Sequence, residues 1–226
     1  MEGVIVQIYS LTTPADIEAC AAAGVDHIGV AAGDQDVPAA VSTERAQELF
    51  ELWPNGPGTR TAALSVHTDP KMVVEYSSAL APDILHVCSD TCALDPEMTE
   101  TIRRQLPAGT DLMKSIEVTG PESVGIAESF AAVSDWLLLD TATSEVQGVG
   151  ASGRIHDWSV SRKIVEAVEV PVILAGGLGP DNVAEAIETV RPAGVDSYTH
   201  TSVSELRKDP EMVQTFVEHA RAAAEG

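Results

Sequence analysis

Residues 171–187 read PVILAGGLGPDNVAEAI, and this stretch decides the fold. Val172 to Leu174, with Ala175, form an apolar run too short for a helix and of the kind found in buried strands. Gly176-Gly177 ends the run, and Pro180 stands where a helix accepts proline as its first residue. Glycine has no Cβ, so a diglycine at this place lets backbone N–H groups approach a bound anion, with a helix N-terminus behind them. The pattern predicts a strand–glycine–helix cradle for phosphate. The other reading is a tight turn whose glycines serve only chain geometry.

The same punctuation recurs on both sides. Thr13-Pro14, Asp69-Pro70, Asp95-Pro96, Gly120-Pro121, Gly179-Pro180 and Asp209-Pro210 each place a capping residue before a proline, and each predicts a helix start. Thr13 and Asp16 also have capping-box spacing. Between the starts lie short apolar runs at Val4–Ile8, His27–Ala31, Thr61–Val66, Ile84–Val87, Leu112–Ile116, Trp136–Leu139, Val172–Ala175 and Gly194–Ser197. Strands alternating with helical segments such as Ile17–Ala23, Ala46–Leu52, Val73–Leu80 and Val183–Val190 imply a parallel sheet. Eight such units in 226 residues, without a linker or a shift in composition, predict an α/β chain: one (β/α)8 TIM barrel, parallel and eight-stranded, over residues 1–226. A doubly wound open sheet would carry a G-x-G-x-x-G after its first strand, and VQIYSLTTP has none. In a barrel the chemistry sits at the C-terminal ends of the strands and phosphate binds after strands seven and eight. The diglycine follows strand seven.

Charge narrows the partners. Acidic residues number 35 against 13 basic ones, a formal net charge of −22, and the acid is spread along the whole chain. Only four of the basic residues are lysines. Such a surface repels nucleic acid and anionic membranes and suits high ionic strength, as in salt-loving archaea. No apolar run approaches the roughly 20 residues of a membrane span. The chain starts without the basic segment of a signal peptide, and three cysteines make no disulfide framework, so the expected location is the cytoplasm.

Several segments, taken in order, resemble the phosphoribosylanthranilate isomerase family of tryptophan biosynthesis. The family's VKICGLTRPEDA is matched by VQIYSLTTPADI at Val6–Ile17, its LLDT by Leu138–Thr141, its GGTGxxFDW by GASGRIHDW at Gly150–Trp158, and its ILAGGLxPeNVaeAI almost residue for residue by Ile173–Ile187. The resemblance implies a TIM barrel that isomerises an aminoaldose phosphate to an aminoketose by an Amadori rearrangement, with no cofactor and no metal. It implies that Asp140 is the general acid. The family's cysteine base corresponds to Tyr9, whose phenol has an ordinary pKa near 10 and is a poor base at neutral pH. The arginine that holds the anthranilate carboxylate corresponds to Ala39, and the family's SSGVE at strand eight becomes Tyr198-Thr199-His200-Thr201-Ser202. The departures fall on the base and on anthranilate recognition, so the expected substrate is a phosphorylated sugar or aminosugar, and not anthranilate-specific.

Ring opening and enolisation need one group that gives a proton and one that takes it. Asp140 is the expected acid, with Tyr9, His86 or His200 as partner, histidine being better tuned near pH 7. Lys114 is expected to point into the barrel with Leu112 and Ile116 and, with His67 at the end of strand three, to touch substrate. Gly176 and Gly177, with the hydroxyls of Thr199, Thr201 and Ser202, are the expected phosphate site. His67, His86, Cys88 and His200 match no compact metal motif, and Cys88-x3-Cys92 lacks a second pair. Two other readings stay open: an epimerase or aldolase using Lys114 or a metal, and a non-catalytic barrel that binds a phosphorylated ligand. The oligomeric state is left open.

Overall fold

The computed structural model describes residues 3–33, 35–54, 56–141, 156–204 and 206–226. Eight parallel strands close into a barrel: β1 (Ile5–Tyr9), β2 (His27–Ala31), β3 (Arg60–Ser65), β4 (Ile84–Val87), β5 (Asp111–Val118), β6 (Trp136–Thr141), β7 (Val172–Leu174) and β8 (Gly194–Ser197), with β8 paired back onto β1. Helices α1 (Pro14–Ala23), α2 (Thr43–Leu52), α3 (Pro70–Leu80), α4 (Pro96–Gln105), α5 (Ser123–Ala131), α6 (Trp158–Ala167), α7 (Val183–Val190) and α8 (Pro210–Glu225) follow the strands in turn. A short antiparallel hairpin, β9 (Ser202–Ser204) and β10 (Arg207–Lys208), lies between β8 and α8. Nothing in the apolar pattern announces it.

Four of the six cap–proline pairs open helices as expected. Thr13 forms the full capping box with Asp16, and Asp69, Asp95 and Asp209 each accept a first-turn N–H with their side chains. Two do not. Helix α5 begins at Ser123, after a turn at Pro121 and Glu122 in which Ser123 Oγ donates to Glu117 O and accepts from Thr119 N. Helix α7 begins at Val183, because Asn182 ties the preceding loop to itself: its Oδ1 accepts from Gly179 N at 2.9 Å and its Nδ2 donates to Gly177 O at 3.0 Å. Pro180 therefore shapes a turn, and is not the first residue of a helix.

The apolar interior has two shells. Inside the barrel lies a small cluster of Tyr9, Ala62, Ile84, Met113, Leu138, Ile173 and Ala175. Larger clusters fill the space between strands and helices, around residues such as Ile8, Ile28, Ile116, Leu139 and Phe216 on one side and Leu85, Leu112 and Ile102 on the other. The N-terminal ends of the strands are sealed by a polar floor. Arg60 and Trp136 both donate to Asp111 Oδ2, at 2.6 and 3.1 Å, and His27 meets Trp136 edge-on with ring centroids 5.7 Å apart. Burial pushes His27 down to about 4, with the Arg60 charge adding to the effect, so it sits there uncharged. With the floor closed, access to the interior is from the C-terminal ends.

Candidate active site

At those ends the strands present polar side chains above the inner apolar cluster. Strand β6 carries Leu138 inward and, two residues on, Asp140, which is 9% exposed. Its Oδ1 accepts the N–H of Thr141 at 2.6 Å. Burial raises its pKa to about 7; that hydrogen bond works against the rise, and the Glu117 charge adds to it. Gly176 and Gly177 follow β7 with φ of +84° and +71°. A Cβ on Gly176 would lie 2.3 Å from Thr141 Oγ1 and 2.9 Å from Thr141 N, so only glycine lets this loop rest against the end of β6. Among the described residues, neither glycine N–H is taken up by a protein acceptor.

A cavity of about 40 Å³ lies here, lined by Asp140, Gly176, Gly177, Leu178, Asp196, Ser197, Tyr198, Thr199 and His200. Beside it runs an open groove of about 660 Å³ that shares Gly177, Thr199 and His200 and extends past Ser202 to the start of α8. Asp140, both glycines, Thr199 and His200 are thus brought together, and Ser202 borders the groove. Thr201 is not part of this wall. It is buried, and its hydroxyl donates back to Tyr198 O at 3.2 Å. Ser202 Oγ also donates to Tyr198 O, at 2.7 Å, and accepts from Lys208 Nζ at 2.9 Å.

Opposite, Tyr9 and His86 meet each other. The Tyr9 hydroxyl lies 2.7 Å from His86 Nδ1, and His86 Nε2 lies 2.6 Å from Ser115 Oγ, which is 3.2 Å from Cys88 Sγ. Burial, with smaller contributions from Asp196, Cys88 and Tyr76, drives the Tyr9 phenol well above its ordinary value. Burial and then the Lys114 charge push His86 down to about 3. At neutral pH both are uncharged and bonded to one another.

Lys114 does not line the mouth. Alternation along β5 turns Met113 into the inner cluster and Leu112 and Ile116 into the outer ones, and Lys114 goes outward with the latter pair. Its Nζ donates to Ser89 O at 2.5 Å and Ser115 O at 3.1 Å and lies 5.4 Å from the centroid of the Phe130 ring on α5. Both faces of a barrel strand are buried, so apolar alternation alone cannot say which face is inside. Burial lowers this lysine to about 8. His67 packs edge-on against Tyr76 of α3, centroids 5.7 Å apart, and borders neither the cavity nor the groove.

Three participants carried no obvious signal. Asp196 of β8 lines the cavity and accepts from Gln7 Nε2 at 3.2 Å. Lys208 supports the β8 loop from below, donating to Tyr198 O at 3.1 Å. His156 backs the end of β6, its Nδ1 3.1 Å from Thr141 Oγ1 and its Nε2 2.6 Å from Ser161 Oγ. A lone carboxylate inside the run GVDS was the one available hint to Asp196. The stretch Gly150–Ile155 of the GASGRIHDW match lies outside the described residues. Among the described residues no three His, Cys, Asp or Glu side chains are grouped to hold a metal ion, and no helix is long and apolar enough to cross a membrane.

The profile of the N-(5'-phosphoribosyl)anthranilate (PRA) isomerase family matches residues 6–219. The chain belongs to this family. It is 34% identical over 216 residues to the PRA isomerase of Methanocella arvoryzae, covering 96% of this chain and 97% of that one. It is also 34% identical over 219 residues to the PRA isomerase of Haloferax volcanii, covering 96% and 93%. A solved PRA isomerase in complex with reduced 1-(o-carboxyphenylamino)-1-deoxyribulose 5-phosphate superposes with a TM-score of 0.78 at 20% identity, over 97% of this chain and 99% of that one. That last likeness shows the barrel. The family assignment places the chain among isomerases, and Asp140 stands at the position of the family's LLDT.

Proposed function

We propose that this chain isomerises N-(5'-phosphoribosyl)anthranilate to 1-(o-carboxyphenylamino)-1-deoxyribulose 5-phosphate, the step that PRA isomerases supply to tryptophan biosynthesis. One observation carries the chemistry: Asp140, held near pKa 7 by burial, shares a cavity with the free N–H groups of Gly176 and Gly177. The glycine pair and Thr199 receive the phosphate, with backbone donors doing most of the work. A phosphate dianion bound beside Asp140 favours its protonated form further, which is the form a general acid requires. Asp140 then gives its proton to the ring oxygen as the furanose opens.

The anthranilate end is less well provided. Residue 39 is alanine, with φ of 59°, and offers no cation to a carboxylate. That observation favours a second reading, in which the same chemistry acts on a phosphorylated aminosugar without an anthranilate carboxylate. The test is the decay of anthranilate fluorescence with freshly generated PRA at high salt, alongside binding of the reduced product analogue and of inorganic phosphate. Turnover with a KM well above the working range of the family's arginine-bearing members is the expected result. Phosphate binding without PRA turnover moves the assignment to the second reading, and failure to bind phosphate removes both.

A further inference from the structure

Two carboxyl groups, from the strands on either side of β7, border the cavity at the barrel mouth. Asp140 comes from β6 and Asp196 from β8, at 9% and 8% exposure. Each has one oxygen committed, Asp140 Oδ1 to Thr141 N–H and Asp196 Oδ1 to Gln7 Nε2–H. Among the described residues, no donor reaches the second oxygen of either. We propose that Asp140 and Asp196 are the acid–base pair of the isomerisation, with Asp196 taking the base's part that Tyr9 leaves unfilled. The proposal rests on the isomerase reading above.

The alternatives at the mouth are poorly suited to removing a carbon-bound proton. The Tyr9 phenol stays protonated and is engaged with His86 at 2.7 Å. His86, lowered to about 3, is a weak base and is held between Tyr9 and Ser115. A general base works best when its pKa lies near the working pH. Burial raises Asp196 to about 7; the Gln7 hydrogen bond and Lys208 oppose the rise, and the Asp140 charge adds to it. The Asp140 charge is among those that raise Asp196, so ionisation of Asp140 favours the proton on Asp196. The charged or titratable groups facing the pair are Glu117 on β5, Lys208 on β10, Tyr9 on β1 and His200 in the β8 loop.

The bond changes balance without any co-reactant. Asp140 gives its proton to the ring oxygen while the C1–O bond breaks and the nitrogen lone pair forms C1=N. Asp196 takes the proton from C2; the C2–H electron pair becomes C1=C2, and the C1=N pair returns to nitrogen. As the enol closes to the ketone, its O–H proton goes to the Asp140 carboxylate and C1 takes a proton from Asp196. Both carboxyls end as they began.

Asp196→Asn is the decisive variant, since the amide oxygen still accepts from Gln7. With PRA as substrate, kcat should fall by about 10²-fold or more while KM stays within about threefold, and the acid limb of the pH profile should disappear. Tyr9→Phe should cost less than about tenfold. Asp196→Asn that keeps more than about a third of wild-type kcat, or Tyr9→Phe that falls as far as Asp196→Asn, overturns the proposal. If the wild-type protein does not turn over PRA, the substrate reading fails by itself and the pair is judged by protonation. Carboxyl NMR of protein labelled with ¹³C-aspartate should then show the Asp196 midpoint falling by roughly half a unit or more in Asp140→Asn. An unmoved midpoint overturns the pair, and the same measurement decides the matter if Asp196→Asn does not fold.

Discussion

The two sides of the barrel mouth are built on opposite principles. On the β1–β4–β5 side, Tyr9, His86, Ser115 and Cys88 form a closed chain in which each polar atom is answered by another. On the β6–β7–β8 side, Asp140 and Asp196 each keep an oxygen in hand, and two glycine N–H groups face a cavity. Both sides carry buried titratable side chains, so residue type does not distinguish them. What distinguishes them is unspent hydrogen-bonding capacity. A satisfied buried network stabilises and specifies a core, whereas an unsatisfied one beside a cavity awaits a ligand.

Asp140→Asn should lower turnover of PRA by roughly 10²- to 10⁴-fold, read as kcat, without loss of thermal stability. A loss of stability with activity retained would mean that the β6 side is structural as well. Next in size is Gly176→Ala, which forces an alanine to φ +84° with its Cβ against Thr141. It should cost about 2–4 kcal/mol in urea denaturation and abolish phosphate binding.

The carboxyl pair also sets a pH dependence of stability. Asp140 and Asp196 are raised from 3.8 to about 7 in the folded state, so there the folded protein holds more protons than the unfolded chain. Stability is therefore full below about pH 4 as far as these groups are concerned and is lost as pH rises through 7. Asp196→Asn should flatten that slope and leave the variant more stable than wild type at pH 8 by on the order of 1–2 kcal/mol in denaturant titrations. A steeper slope would contradict the burial penalty. The smallest effect belongs to the other side: Tyr9→Phe leaves a ring nitrogen of His86 without its partner and should cost about 1 kcal/mol of stability.

The fold was legible because its signals are local and repeated. Thr13, Asp69, Asp95 and Asp209 cap the helices that their prolines announce, and eight apolar runs fall on eight strands. The two misplaced helix starts, at Ser123 and Val183, were set by side chains reaching backward across a turn, which a dipeptide cannot show. The site was legible where a residue's place along a strand mattered, as for Asp140, Gly176 and Gly177. It was illegible where the facing of a side chain mattered. Lys114 lies on a strand buried on both faces and went outward, Thr201 turned its hydroxyl beneath its own loop, and His67 packed on a neighbouring helix. Asp196 was illegible because its place depends on distant residues: it borders one cavity with Asp140 from the far side of β7, and it accepts from Gln7 at the other end of the chain.

That last contact ties chemistry to folding. Gln7 and Asp196 are 189 residues apart in sequence and face each other across the seam where β1 pairs with β8. Helix α8 is likewise tied back to the first units, Arg221 reaching Asp26 just before β2 with Nη2 2.6 Å from Oδ2. Closing so long a loop is the entropically costly part of assembling such a chain, and it waits until the final units have been synthesised. Until then β1 has an open edge and Asp196 has no donor to orient it. The proposed acid–base pair is complete only once the ring closes, so turnover in a refolding experiment should report that last event.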